Sequence, residues 1–262
     1  MKYILDVDAS KVIEAVRSTG VTVTPAMMHY AHYLISNMKN IGTWSLCNAV
    51  YGIVGGTAAS HAINWKSIGT YNLSYSGSFT HSSTGVLPAT AYANTSILAN
   101  SLNTNSLHLS YYSRTNSASG IDRREMGCEI NPYVSPGSYA ELAIRRQSNQ
   151  SFSALGTDTG LALTTNTDSR GYYIANRNSS TSNNLFKNGI ITAASTTANS
   201  VTYPAAYMTL FAVNFSSSAT INPIGFTNLE CTFSTIGAGL TDTQAQQQSQ
   251  IVTNAQNILN RA

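Results

Sequence analysis

Charge is what this sequence has least of. Lys, Arg, Asp and Glu make up 10% of its 262 residues, against about 25% in an average soluble protein. Only 11 residues are acidic, which leaves few candidates for general acid–base work. The net charge is +3, and no basic cluster exceeds the pairs Arg123-Arg124 and Arg145-Arg146. The dense basic face of a nucleic-acid binder is therefore missing. Cysteine is scarce too. Cys47, Cys128 and Cys231 are irregularly spaced, with no CxxC, so a zinc ribbon is not expected. They read as buried apolar thiols, with room left for one disulfide. No stretch approaches the ~18 apolar residues of a membrane helix, so no membrane insertion is expected. The opening run Met1-Lys2-Tyr3-Ile4-Leu5-Asp6-Val7-Asp8 meets acids too early for a signal-peptide core. The chain is expected to be made in the cytoplasm and not exported by a cleavable signal.

What replaces charge is Ser, Thr and Asn, together with 15 Tyr. Such a surface relies on neutral hydrogen-bonding groups, and Tyr suits half-buried sheets and interfaces. At 42% hydrophobic composition, the chain can bury a core of one domain, two at most. Three regions are predicted. Residues 1–51 form a helical leader. Asp8 caps a first helix that ends at Gly20. Thr24-Pro25 starts a second, with Met27, Ala31, Leu34, Ile35 and Met38 on one face. Trp44, Cys47, Ala49 and Val50 add a short helical piece. Residues 52–239 form a β-sandwich. Its strands are placed at 71–75, 106–114, 126–130, 139–145, 171–177, 185–187, 190–193, 207–214 and 230–235. Asn188-Gly189 marks the clearest hairpin, because it tolerates the positive φ angles of a type I′ turn. Many short strands at regular spacing mean a sandwich or barrel. Residues 240–262 form an amphipathic helix. Thr241 and Gln244 make its capping box, and Ile251, Val252, Ala255, Ile258 and Leu259 make its apolar stripe. That stripe is expected to pack on the chain's own sandwich.

Candidates for chemistry are few. Glu125 and Glu129 lie four apart on a predicted strand, but Gly127-Cys128 interrupts the alternation and Arg123-Arg124 sits beside them. A structural ion pair is the preferred reading over a glycosidase pair. His29 and His32 share a helix face without a third metal ligand nearby. His61 and His81 sit in hydroxyl-rich turns, where a Ser–His–Asp triad stays open although no G-x-S-x-G elbow is present. The Gly-rich turn at 52–56 lacks a G-K-[ST] ending, so no phosphate loop is read. The chain is expected to be non-enzymatic, with no cofactor and no metal ion. Glycan binding needs an exposed aromatic face with polar side chains around it. Trp44, Trp65, Tyr112, Tyr173 and Arg177 are the candidate glycan or subunit contacts. In the pairs Tyr111-Tyr112 and Tyr172-Tyr173, one ring is expected in the core and the other exposed, since neighbours in a strand face opposite ways.

Several segments together carry a resemblance. They are 51–61 (YGIVGGTAASH), 78–85 (SFTHSSTG), 108–116 (HLSYYSRTN), 168–177 (DSRGYYIANR), 185–189 (LFKNG) and 233–242 (FSTIGAGLTD). In this order they resemble a widespread family of uncharacterised phage and prophage virion-associated proteins, over roughly residues 40–262. The closing segment and the K-N-G hairpin are similar to a concanavalin-like, laminin-G-like jelly roll. The resemblance implies a bacteriophage virion protein: a capsid-decorating, head-fibre or tail-associated subunit acting through protein–protein contacts. The alternative it leaves is a carbohydrate-binding adhesin or receptor-binding module on the particle. Implied partners are other virion proteins, further copies of the chain and a host surface glycan. Neither the E-x-D-x-E strand of concanavalin-like glucanases nor the clustered acids of calcium-binding laminin-G domains is present, because Asp158, Asp168 and Asp242 are isolated.

Overall fold

The computed structural model describes residues 5–117 and 121–261; Met1 to Ile4, part of the run read as lacking a signal, lie outside them. The chain opens with helices α1 (Val7–Ser18), α2 (Pro25–Asn40) and α3 (Thr43–Leu46), strand β1 (Cys47–Tyr51) and helix α4 (Ala58–His61). Strands β2 (Ser74–Ser76), β3 (Phe79–His81), β4 (Val86–Pro88), β5 (Tyr92–Leu98), β6 (Leu107–Ser113), β7 (Met126–Glu129) and β8 (Ser138–Ala143) follow. Next come β9 (Gln150–Thr157), β10 (Ala162–Thr165), β11 (Gly171–Ser179), β12 (Ser182–Lys187) and β13 (Ile190–Ser195). The chain closes with β14 (Tyr207–Leu210), β15 (Val213–Phe215), β16 (Pro223–Ile224), β17 (Cys231–Gly237) and helix α5 (Asp242–Ile258).

The strands form two sheets. One has eight strands in the order β13-β12-β11-β6-β17-β4-β3, with β1 beside β17. The other has nine, in the order β10-β9-β8-β7-β14-β5-β2, with β15 and β16 attached at β7. All pairings are antiparallel except β15 with β7. This is the β-sandwich with terminal helices that the sequence predicts. Between the sheets lie Leu109, Tyr111, Met126, Leu142, Leu155, Tyr173, Leu210 and Ile236, all buried. Cys47, Cys128 and Cys231 are free and buried.

The helices are a third layer. Val12, Val16, Tyr30, Leu34, Val252 and Ala255 pack with Tyr112, Tyr172, Phe186 and Phe233 from the outer side of the eight-stranded sheet. Gln248 Nε2 donates to the Tyr172 hydroxyl at 2.9 Å, and Tyr30 donates to the Gly52 carbonyl at 3.0 Å. A sheet covered on both faces reverses the expectation for the tyrosine pairs. Tyr111 and Tyr173 enter the inter-sheet core, Tyr112 and Tyr172 enter the helix layer, and none is exposed.

Two local expectations are also corrected. Cys47–Tyr51 is a strand, not a helical piece, because it pairs with β17 in register from Ala49↔Ile236 to Tyr51↔Ser234. The cap of α1 is Asp6 rather than Asp8: its carboxylate accepts the Asp8 N–H at 2.9 Å. The other caps stand as read. Thr24 accepts from the Met27 N–H, and Thr241 and Gln244 form the capping box of α5. Asn188 and Gly189 have φ of +50° and +82° between β12 and β13.

Candidate functional site

The α-helices pack on the eight-stranded sheet, whereas the outer face of the nine-stranded sheet is buried along β7, β8 and β9 and meets solvent at the 131–137 loop. Alternation fixes what it presents. In β8, Ala140 and Leu142 point into the core, so Tyr139, Glu141 and Ala143 point out. In β9, Leu155 points in, so Phe152 and Ala154 point out. Glu129 of β7 lies on the same outer side. Gly127, opposite Glu141, has φ +135°, and a Cβ there would sit 2.0 Å from the Ala140 carbonyl. Glycine therefore lets the two strands close beneath the acids.

Charge is concentrated here, in a chain that has little of it. Arg124 Nη1 donates to Glu129 at 2.8 Å, Arg124 Nη2 donates to Asp122 at 3.0 Å, and Arg124 Nε lies 3.5 Å from Glu141. Arg146 Nε lies 3.0 Å from Asp122, out of hydrogen-bond alignment, and its guanidinium covers the Phe152 ring at 5.3 Å. Glu141 is fully buried, and neither carboxylate oxygen has a hydrogen bond among the described residues. Burial drives Glu141 toward its neutral acid; Arg124 opposes this and Glu129 adds to it.

Beside this layer, the loop 131–137 between β7 and β8 carries two large exposed side chains, Tyr133 (48%) and Val134 (67%). The Tyr133 and Tyr139 rings flank Gly137 so closely that a Cβ there would meet them at 2.6 and 2.7 Å. The Tyr133 hydroxyl donates to Asp158, and that bond holds the Asp158 carboxyl below its usual range. The face thus joins one exposed ring, Tyr133, and the half-buried Tyr139 to fixed guanidinium and carboxylate groups.

The five contact residues read from the sequence lie elsewhere, and all are buried. Trp65 meets Tyr30 edge-on at 5.7 Å and fills the space where a Cβ of Gly52 would be. Trp44 packs under Lys66, whose ammonium donates to the Trp44 carbonyl at 2.7 Å. Arg177 runs between the sheets, donating to the carbonyls of Leu155 and, at 2.7 Å, Ser180. Tyr112 and Tyr173 border two clefts that share Asp168. Tyr112, Tyr173 and Arg177 are buried because both faces of their sheet are covered, and Trp44 and Trp65 because they lie in the helix layer. The signal for the outer face was present in the sequence as an aromatic residue between two prolines, Pro132-Tyr133-Val134-Ser135-Pro136.

The expected acid pair divides. Glu129 is in an ion pair, as read. Glu125 instead accepts from the Ile144 N–H at 2.5 Å and the Thr227 hydroxyl at 2.8 Å, and burial pushes it up to about 7. The histidines also separate. His61 Nδ1 and His81 Nδ1 lie 3.0 Å apart, and His61 Nε2 accepts the Gly56 N–H. The His61 proton is thus on Nδ1 and is donated to His81, so the pair forms no Ser–His–Asp triad. His32 Nδ1 accepts the Asp6 N–H at 2.9 Å, while His29 meets Tyr33 edge-on. Among the described residues, no group of three His, Cys, Asp or Glu side chains could hold a metal ion. No helix there is long and apolar enough to cross a membrane.

The fold belongs to the class of two-sheet jelly-roll sandwiches. No family model and no characterised sequence matches the chain. Among solved structures, domain 4 of AbnA, a GH43 extracellular arabinanase from Geobacillus stearothermophilus, in complex with arabinotriose, is similar with a TM-score of 0.51. The identity is 10%, over 78% of this chain and 98% of that domain. Trypanosoma rangeli sialidase in complex with sialic acid gives 0.49 at 6% identity, over 85% of this chain and 38% of the sialidase. A botulinum neurotoxin type C structure, described with two ganglioside molecules, gives 0.48 at 12% identity, over 82% and 53%. At these identities the likeness is one of fold.

Proposed function

We propose that this protein is a carbohydrate-binding module whose binding face is the outer side of the nine-stranded sheet. The observation that carries the reading is the exposed Tyr133 ring, with Tyr139 behind it, set against an ion-pair layer whose Asp122 and Arg146 keep access to solvent. An exposed ring offers an apolar platform to the C–H face of a sugar. Guanidinium and carboxylate groups already held in place hydrogen-bond its hydroxyls with little ordering cost. That the similar arabinanase domain was solved with arabinotriose supports the reading. The resemblance to phage virion-associated proteins gives it a setting: a module on the particle that holds a polysaccharide of the bacterial surface, and meets other virion proteins through its remaining surface. A binding role without turnover is supported by the burial of Glu141 and the pairing of Glu129 with Arg124.

The test is an array of bacterial surface polysaccharides probed with the native chain and with Tyr133→Ala. The variant removes an exposed ring, so the fold should be kept. Selective binding by the native chain, weakened about tenfold or more in the variant, is expected; removing an aromatic platform costs about 1–3 kcal/mol by analogy with base–aromatic stacking. Absence of binding across the array, or binding indifferent to Tyr133, would contradict the proposal.

A further inference from the structure

A second polar site lies on the flank of the sandwich, away from the Tyr133 face. β13 and β10 are the edge strands of the two sheets on this side. Between them a cleft of about 250 Å³ is lined by Ser151, Thr164, Thr165, Thr192, Tyr173 and Lys187, with residues 166–168 at its rim. That is just under the size of drug-sized sites, which begin at about 300 Å³, and suits one sugar residue.

The floor is fixed by a closed set of bonds. Lys187 Nζ donates to Asn166 Oδ1 at 3.0 Å and to the Asp168 carbonyl at 2.5 Å. The Tyr173 hydroxyl donates to the same carbonyl at 2.8 Å. Asn166 Nδ2 donates to the Ile144 carbonyl at 2.7 Å and to the Tyr173 hydroxyl at 2.9 Å. Two of the three ammonium hydrogens are used, and both partners are neutral. Lys187 forms no ion pair among the described residues. The nearest carboxylate, Asp168, is held by Arg170 at 2.9 Å. Arg145 adds a further cation whose partners, Asn149 and Asn116, are neutral. Around the cleft three cations, Lys187, Arg170 and Arg145, thus accompany one carboxylate. Partial burial, aided by the fields of Arg170 and Arg145 and only partly offset by Asp168, pulls the Lys187 ammonium below its usual range, so an anion beside it would relieve an unfavourable charge. The walls supply hydroxyls. Those of Thr164, Thr165 and Thr167 make no hydrogen bond among the described residues.

We infer that this flank cleft binds a carboxylate-bearing sugar residue, its carboxylate toward Lys187 and its hydroxyls on the threonine walls. The inference rests on the cleft and stands apart from the Tyr133 face. It is tested by following amide chemical shifts of the native chain during titration with sodium glucuronate, with glucose and sodium acetate as controls. Glucuronate is expected to move Thr164, Thr165, Asp168 and Lys187 saturably, with neither control doing so. Lys187→Met should weaken binding at least tenfold. Thr165→Val, an exposed change that spares the floor, should weaken it severalfold. Tyr133→Ala should leave it unchanged, so this site and the sheet face fail or survive separately. Equal response to glucose would overturn the carboxylate assignment, equal response to acetate would overturn the sugar assignment, and no response to glucuronate would overturn both.

Discussion

At the scale of single residues, the buried polar groups decide most. Arg177 is fully buried, and its guanidinium bonds the carbonyls of Leu155 in one sheet and Ser180 beside the other. Removing it leaves those acceptors without donors. Arg177→Met is expected to cost about 2–4 kcal/mol in denaturant unfolding; a loss below about 0.5 kcal/mol, the level of a neutral surface change, would contradict the assignment. Glu125 carries a pH dependence of defined sign. Its folded-state pKa, about 7, lies above the ordinary 4.5, so its stabilising contribution is complete below about 4.5 and is lost as pH rises through 7. Buried His61 and His108 act oppositely. Burial lowers them to about 3 and about 4, so their contribution is complete above about 6.5 and is lost as pH falls. Glu125→Gln keeps an acceptor for the Ile144 N–H and removes the titration. Over pH 4.5–7, stability of the native chain relative to this variant should fall by up to ~1.4 kcal/mol per pH unit. Parallel curves would show that Glu125 does not titrate as described.

At the scale of elements, local chemistry was readable wherever a side chain acts on its own backbone. Thr24-Pro25, Thr241 with Gln244, and Asn188-Gly189 each do so, and each appears where the sequence places it. Thr241→Ala should therefore cost about 1 kcal/mol of thermal stability, read as a small fall in Tm; no change would show that tertiary packing alone holds the start of α5. Strands made of small or polar residues were not legible. β9 (QSFSALGT) and β5 (YANTSIL) lack a strong alternation and are strands because neighbours pair with them on both sides. The segment 207–214 reads as one strand, but Phe211 at φ +71° divides it into β14 and β15. The candidate site was hidden for a related reason. An aromatic residue near the sheet is visible in sequence; whether helices cover its face is not. Pattern points to Tyr112 and Tyr173, which are covered, whereas Tyr133 lies in an exposed loop.

At the scale of the molecule, the arrangement is asymmetric. One sheet is closed by α1, α2 and α5, and the other carries a largely buried ion-pair layer beside the exposed Tyr133. A chain with 10% charged residues has placed five of them in that one layer. Such a layer stiffens the surface on which Tyr133 and Tyr139 stand, and stiff, hydrogen-bonding surfaces bind polyhydroxyl ligands at low ordering cost. The most direct test is hydrogen–deuterium exchange of the native chain, with and without a saturating neutral glycan drawn from the array. Protection is predicted in residues 130–139 and 143–158, with α1, α2 and α5 unchanged. Protection confined to the helices, or none on the nine-stranded sheet, would contradict the account.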